Sequence, residues 1–193
     1  MTESTFDYSR YFWQGEKVRL RPARVEDAEQ RFIDSLDSPS RQILQCGIEL
    51  PTTAELEKAK IEQWTECKIN DGLYMFMIEN LAGEDVGGIA MHGIDEKNGL
   101  FGFGIIIQRA HQKQGYAADA VRIVLRYGFW ERRFQKCNSA CAHTNQASIR
   151  LHKKLGFIEE GRRRRQFFCN GQYYDDILFG MTREEFDALE GKA

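Results

Sequence analysis

Several features that would assign this sequence to a specialised class are absent. No apolar run approaches the ~18 residues that a membrane-spanning helix requires. The first residues, MTESTFDYSRYFWQGEKV, lack the basic segment and apolar core of a secretory signal peptide. The five cysteines include no C-x-x-C pair, and the four histidines show no metal-ligand spacing. These absences predict a cytoplasmic protein with reduced thiols and no structural metal.

The sequence also lacks a strong excess of either charge. Its 27 Lys and Arg against 29 Asp and Glu give a formal net charge of −2, which provides no argument for a nucleic-acid or membrane partner. The P-loop pattern G-x-x-x-x-G-K-[ST] and the dinucleotide fingerprint G-x-G-x-x-G are both absent. What is present, 193 residues with 42% hydrophobic content, is typical of one globular domain with a sizeable core.

The hydrophobic pattern predicts an α+β order of elements. Strands are expected at 18–21, 73–79, 86–94, 100–107 and 137–142, with two more between 157 and 181 about a turn at 169–171. Helices are expected at 26–36, from 53 to about 69, from 116 to about 132 and at 146–155, with an irregular stretch over 40–51. Because a helix separates the strands at 100–107 and 137–142, we expect them to be parallel neighbours.

The amino-terminal segment is rich in aromatic residues without a helical or strand period. Its rings are Phe6, Tyr8, Tyr11, Phe12 and Trp13. They either pack on the domain as an arm or form a dimer contact, since exposed aromatic clusters are uncommon. The interpretation is an arm over residues 1–16, a single domain over 17–187 and a tail over 188–193.

The most informative stretch is the junction between the strand at 100–107 and the helix that follows it. The loop has the form Q-x-x-G-x-A, from Gln112 to Ala117. Gly115 lets the backbone approach an anion closely or adopt a positive φ. The helix start supplies unpaired N–H groups and the positive end of its dipole, and Lys113 adds a charge at the rim. Taken alone, the pattern fits a phosphate site or an ordinary helix-opening turn.

A second pattern follows on the next strand and helix. Asn145 is a suitable N-cap for the helix over 146–155, and Gly156 is a suitable residue to end it. The chain resembles the GNAT superfamily of acyl-CoA-dependent N-acetyltransferases over about residues 17–187. The resemblance rests on a strand followed by Q-x-x-G-x-A and a helix, and then by the pattern N-x-x-S-x-x-L-H-x-x-L-G-F. Two segments are similar to those of the ribosomal-protein N-terminal acetyltransferase branch and of spermidine acetyltransferases. They are the opening VRLRPA and the ending GRRRRQFFCNGQYYDDILFGMTREEF.

This resemblance implies a GNAT-like α+β fold. We expect a mixed, mostly antiparallel central sheet of about seven strands, flanked by about four helices and splayed between the fourth and fifth strands. Acetyl-CoA is the implied cosubstrate, with its pyrophosphate on backbone amides of the loop and its pantetheine arm along the preceding strand. The implied cofactor-binding residues are Ile105, Ile106, Ile107, Gln112, Lys113, Gln114, Gly115, Tyr116, Ala117 and Asn145.

His152 stands where members of this family often place a tyrosine. An imidazole can act as the acid that protonates the departing thiolate of CoA. The alternative is that His152 only packs or forms a hydrogen bond beside the cofactor. His92 and His143 can relay a proton from the amine but also suit structural roles, and His111 is expected to be a solvated turn residue.

The acceptor is the least determined feature. Spermidine acetyltransferases keep a carboxylate in the strand before the loop, whereas the matching stretch here, Leu100–Gly104, carries none and has Gly102-Phe103 instead. This favours a protein N-terminal amine, attacked directly in a ternary complex. A polyamine or other small amine, or a non-catalytic CoA-binding regulatory role, is the alternative, and a homodimer is compatible with the sequence. Arg162–Arg165 is expected to be a solvated strand face, or else to touch the 3′-phosphate of CoA or an acidic acceptor.

Overall fold

The computed structural model describes residues 7–45, 47–65 and 72–191. Its centre is a seven-stranded sheet in the order β1-β2-β3-β4-β5-β7-β6. The strands are β1 (Val18–Pro22), β2 (Tyr74–Asn80), β3 (Asp85–Asp95), β4 (Leu100–Ile107), β5 (Lys136–Ala142), β6 (Ile158–Cys169) and β7 (Gln172–Thr182). The α-helices within the described ranges are α1 (Asp27–Ser35), α2 (Ser38–Gln45), α3 (Ala54–Thr65), α4 (Tyr116–Arg126), α5 (Gln146–Leu155) and α6 (Arg183–Leu189). None of these helices is long and apolar enough to cross a membrane.

One neighbouring pair of strands in the sheet is parallel. β4 and β5 run in the same direction, whereas the other neighbouring pairs are antiparallel. The parallel pairing is short, because Leu100–Gly102 pair with Lys136–Asn138 and the two strands separate beyond that point. We call this point, after Gly102 and Asn138, the fork. The parallel neighbours and the splay between the fourth and fifth strands confirm the expectation from the sequence.

The sheet buries apolar side chains on both of its faces. On one face, which we call the α4 face, Phe101 and Phe179 belong to the large core that includes the apolar stripe of α4. On the other, which we call the α3 face, Met77 packs with Ala28 of α1 and Ile61 of α3. Side chains alternate between faces along a strand, and residues paired across strands share a face. Each residue near the fork can therefore be assigned to one face.

The aromatic arm packs against the sheet and the end of α4. Trp13 lies between Phe76 and Tyr127, with its ring centroid 4.8 Å from each of theirs. This agrees with the interpretation of residues before 17 as an arm packed on the domain. Phe6 lies outside the described residues. The dimer contact and the two domain boundaries stay predictions.

Helix α2 replaces the irregular stretch expected over 40–51. Pro39 lies in its first turn, where the fixed φ of proline and its missing N–H are compatible with a helix. Asp37 accepts hydrogen bonds from the Ser40 backbone N–H at 3.4 Å and from its hydroxyl at 2.6 Å. The Asp-Ser-Pro sequence that ends α1 therefore also begins α2.

Helix α6 was also not expected from the sequence. A capping box begins it: the Thr182 hydroxyl accepts from the Glu185 N–H at 3.3 Å, and the Glu185 carboxylate accepts from the Thr182 N–H at 2.7 Å. The T-x-x-E pattern was the available signal. The helix expected over 116–132 is divided into α4 and a π-helical turn at Tyr127–Glu131. Beyond Thr65, the remainder of the helix expected from 53 to about 69 lies outside the described residues.

Candidate active site

The loop between β4 and α4 presents backbone N–H groups at the start of a helix. A 3-10 turn at Arg109–His111 follows β4, Lys113 adopts a φ of 63°, and Gly115 adopts a φ of 90° immediately before α4. No side chain caps α4. The N–H groups of its first turn, from Tyr116 onward, therefore have no partner within the helix. This arrangement suits an anion such as a phosphate.

A lysine that the sequence did not single out lies beside this loop. Lys17 Nζ donates a hydrogen bond to the Gln114 carbonyl at 2.9 Å, and a Cβ built on Gly115 would lie 3.0 Å from the same nitrogen. Asp119, in the first turn of α4, accepts the backbone N–H of Lys17 at 2.7 Å and that of Val18 at 3.0 Å. These bonds hold the start of β1 against α4 and keep the Lys17 side chain beside the loop. The Lys17 ammonium therefore adds a positive charge near the first turn of α4.

A slot opens between β4 and β5 and leads from the fork to this loop. On its other edge β4 stays paired with β3, with Ile105 opposite Ile89 and Ile107 opposite Gly87. The side-chain amide of Gln112 donates to the Ile107 carbonyl at 3.1 Å and ties the loop to the end of the strand. An extended molecule laid along Ile105–Ile107 would therefore reach from the fork to the start of α4.

Asn145 begins α5 at the carboxyl end of β5. Its side-chain oxygen accepts the Ser148 N–H at 3.0 Å, which confirms the predicted N-cap. At the other end Gly156 adopts a φ of 91°, and the Phe157 N–H bonds to the His152 carbonyl at 3.0 Å. Because both ends of α5 are fixed, the helix holds its buried face, including His152, against β5.

Aromatic rings enclose the His152 imidazole on the α4 face. His152 is 2% exposed. It stacks on Phe179 with ring centroids 4.5 Å apart and planes 9° apart. Phe103 stacks at 5.6 Å, and Phe157 meets the ring edge-on at 5.3 Å. This packing accounts for a flat aromatic side chain at this position.

Both ring nitrogens of His152 are engaged. Nδ1 lies 2.8 Å from the Ser148 carbonyl oxygen, which can only accept, so Nδ1 carries the proton. Nε2 lies 2.8 Å from the Ser139 hydroxyl and accepts its hydrogen bond. Burial lowers the pKa of His152 below its ordinary value, so the ring is neutral at pH 7. Ser139 directly follows Asn138 on β5, which brings the hydroxyl rather than the imidazole to the fork.

The other histidines lie in three different environments. His143 Nδ1 accepts the Asp175 N–H at 3.1 Å and so joins the end of β5 to β7. His111 lies in the 3-10 turn before the loop. His92 is exposed on β3, on the opposite side of the sheet from His152.

A buried carboxylate on β7 is a further feature that the sequence did not indicate. Asp176 is 3% exposed, and its Oδ1 has no hydrogen-bond partner within the described residues. Its Oδ2 lies 3.9 Å from Arg163 Nη1. Burial raises the pKa of Asp176, and Arg163 opposes this. The run Arg162–Arg165 is exposed as expected, and it also pairs with acids of β7, since Arg162 lies 3.6 Å from Asp175.

A sheet that forks between two parallel strands, beside an anion-binding helix start, is the arrangement of a GNAT-type acetyltransferase. Residues 17–158 match the family described as acetyltransferase (GNAT) domain, and the chain belongs to this family.

Individual relatives agree with this assignment. The chain is 35% identical over 180 residues to the SPbeta prophage-derived uncharacterized N-acetyltransferase YokL of Bacillus subtilis (strain 168), covering 93% of this chain and 98% of that protein. It is 29% identical over 169 residues to the spermidine N(1)-acetyltransferase of Escherichia coli (strain K12), covering 88% of each. A crystal structure of a probable acetyltransferase superposes with a TM-score of 0.79 at 22% identity, covering 88% of this chain and 95% of that one.

Family membership confirms three predictions from the sequence: the fold, the N-acetyltransferase class and acetyl-CoA as the cosubstrate. The acceptor is not identified by these similarities. The cofactor-binding residues and the catalytic role of His152 stay predictions.

Proposed function

We propose that this protein transfers the acetyl group of acetyl-CoA to a primary amine by direct attack within a ternary complex, with a protein N-terminal amine as the favoured acceptor. The observation that carries the proposal is the fork, whose slot leads to the start of α4. An extended thioester fits this geometry, because one end requires an anion site and the other requires open space between strands.

The assignment of the cofactor follows the slot from the loop to the fork. The pyrophosphate binds to backbone N–H groups of Gln112–Ala117, with the Lys17 ammonium beside them. The pantetheine arm lies along Ile105–Ile107 like an added strand, and Asn145 faces it from the start of α5. This brings the thioester to the fork, where unpaired backbone N–H groups can polarise its carbonyl.

The chemistry favours an acceptor that is already partly neutral. A chain terminus has a pKa near 8 and a lysine near 10.4, so at pH 7.5 roughly a quarter of terminal amines are neutral but only about 0.1% of lysines. The stretch Leu100–Gly104 also offers no carboxylate to a polycation. The likeness to the E. coli spermidine acetyltransferase supports a polyamine as the alternative acceptor.

The proposed role of His152 requires Ser139. The ring is enclosed and its Nε2 accepts from the Ser139 hydroxyl, so a proton for the departing thiolate has to pass through that hydroxyl. Since the resting ring carries its proton on Nδ1, His152 must first gain a second proton on Nε2 before it can return one to Ser139. We therefore place Ser139 between His152 and the sulfur.

The decisive experiment measures release of free CoA thiol from acetyl-CoA with a panel of acceptors. The panel contains short peptides with free N-termini, the same peptides with blocked N-termini, lysine-containing peptides and spermidine. Faster turnover of the free N-termini than of spermidine is expected. Preference for spermidine would favour the polyamine alternative, and tight acetyl-CoA binding without turnover of any amine would favour a non-catalytic CoA-binding protein. The cytoplasmic location and the homodimer stay predictions beside this proposal.

A further inference from the structure

We propose that His92 is the general base that takes the proton from the acceptor amine. This inference rests on the proposed N-acetyltransferase function and adds a residue to it. It also assigns the side from which the acceptor enters, which is the α3 face of the sheet.

The position of His92 follows from the register of three strands. His92 on β3 pairs with Gly102 on β4, and Gly102 pairs with Asn138 on β5 as the last pair before the fork. His92 therefore lies in the row of residues where the slot begins. Since Met91 and Phe103 are buried on the α4 face, His92 and Gly102 point to the α3 face.

The ring of His92 extends over β4 itself. A Cβ built on Gly102 would lie 3.2 Å from His92 Cε1, and one built on Gly104 would lie 3.7 Å from Nε2. Because Gly102 and Gly104 have no side chains, β4 itself places nothing on the α3 face at this point. The imidazole of His92, from the neighbouring strand β3, occupies part of that space. A side chain at position 102 would also collide with the Asn138 carbonyl, 2.7 Å from that Cβ. The base thus reaches the fork from β3 at a point where β4 cannot carry one.

The imidazole of His92 is free to exchange protons. Within the described residues it forms no hydrogen bond and no ion pair, and it is exposed to solvent. The other histidines differ, because the ring nitrogens of His143 and His152 are already bonded and His111 precedes the loop rather than the fork. Of the four histidines, His92 alone combines an open ring with a place beside the thioester.

The groups that face His92 from adjacent strands carry little charge. Met75 on β2, Gly104 on β4 and Asn138 on β5 share its face and are neutral. Towards β6, Lys136 and Glu160 pair with each other at 2.7 Å. Further along β3 on the same face, Arg31 of α1 lies over Gly88 and pairs with Asp85 at 3.0 Å.

The proposed step balances as follows. The amine nitrogen attacks the thioester carbonyl carbon, and its proton passes to a ring nitrogen of His92 as the C–N bond forms. The C–S bond then breaks, and the sulfur leaves with the electron pair. The thiolate takes a proton from the Ser139 hydroxyl, which regains one from the protonated His152, and water resupplies His152. The exposed imidazolium returns its proton to water, so the products are the N-acetylated amine and CoA.

The test compares His92→Gln and His92→Ala with the wild type and with His111→Gln, a control for the loss of a histidine elsewhere. General-base catalysis contributes roughly 10²–10⁴-fold, so a fall of at least about 10²-fold in kcat/KM is expected for both His92 variants. Acetyl-CoA affinity by calorimetry should stay unchanged. The acid limb of the kcat/KM profile should disappear, and added imidazole should restore activity to His92→Ala but not increase that of His111→Gln.

Three results would overturn the assignment in distinguishable ways. Activity of both His92 variants within about threefold of the wild type would remove His92 from the reaction and leave the proposed function intact. A loss of activity that imidazole does not rescue, with an unchanged acid limb, would make the role structural. A wild-type protein that releases no thiol with any amine would overturn both the base assignment and the proposed function.

Discussion

Replacing Gly115 by valine tests the anion-binding loop most directly. Gly115 adopts a φ of 90°, in the left-handed region that a β-branched residue avoids. Its Cβ would lie 3.0 Å from Lys17 Nζ and 3.5 Å from Lys17 Cδ. The backbone strain is worth about 1–2 kcal/mol. The valine side chain also crowds the Lys17 ammonium and the loop amides, and loss of one charge-assisted hydrogen bond to the bound anion is worth about 1.5–3 kcal/mol.

These magnitudes predict two separate effects of Gly115→Val. The free energy of unfolding falls by about 1–2 kcal/mol through strain, and the Kd for acetyl-CoA rises about 10- to 100-fold through loss of the anion contact. Urea unfolding measures the first effect and calorimetry at fixed ionic strength the second. Acetyl-pantetheine, which has no pyrophosphate, is the matched ligand, and its affinity should change much less.

Gly171→Val is the matched control variant. Gly171 also adopts a positive φ, 74°, but lies in the turn between β6 and β7 with nothing within 4 Å of its Cβ. It should lose comparable stability and keep its acetyl-CoA affinity. An unchanged Kd in Gly115→Val, or an equal loss of affinity in both variants, would refute the pyrophosphate assignment.

Four further predictions concern Lys17, His152 and Asp176. Lys17→Met keeps most of the stem and removes the charge beside Gln114, so calorimetry should give weaker acetyl-CoA binding with a reduced dependence on salt. His152→Phe preserves the aromatic packing and should lower kcat more than it changes cofactor affinity; an unaltered kcat would remove His152 from the mechanism. Because burial lowers the pKa of His152, the wild type should also lose stability as the pH falls through the range below about 6.5, and thermal unfolding of His152→Phe should lack this component. Burial raises the pKa of Asp176, so the contribution of this carboxyl group to stability falls as the pH rises through that pKa. Asp176→Asn should therefore be more stable than the wild type at pH 7.5 by about 1–3 kcal/mol, and the difference should vanish below pH ~4. A less stable variant would mean that the carboxylate has hydrogen-bond partners in the folded protein.

The elements that the sequence predicted are those whose signals are local. The parallel pairing of β4 and β5, the strands before and after α4, follows from the strand-helix-strand order. Asn145 and Gly156 are recognisable in the sequence as the residues at the two ends of one helix. The helix α2 was missed because Ser-Pro after Asp37 indicates a break, although proline is also favourable in a first helical turn. The T-x-x-E pattern of the capping box at Thr182 is likewise a local signal, and it marks the start of α6.

The features of the candidate site that the sequence did not reveal depend on contacts between distant segments. Lys17 and the carboxylate that fixes it, Asp119, are 102 residues apart. The burial of Asp176 depends on the hairpin of β6 and β7, since an Asp-Asp pair beside a turn is otherwise expected to be solvated. The proximity of His92 to the fork requires the register of three strands, which hydrophobic alternation alone does not specify.

The sequence Gly102-Phe103-Gly104 has a consequence for the two faces of the fork. The alternation of side chains along β4 places the bulk of Phe103 on the α4 face, where it stacks on His152 at 5.6 Å. The same alternation leaves the α3 face bare at both glycines, and the His92 ring lies there. One face is therefore closely packed around His152, while the other is open to solvent at His92. In the proposed mechanism the base His92 and the acid His152 lie on opposite faces and do not exchange a proton directly. The proposal therefore gives the proton of the amine and the proton of the thiol separate routes at one fork.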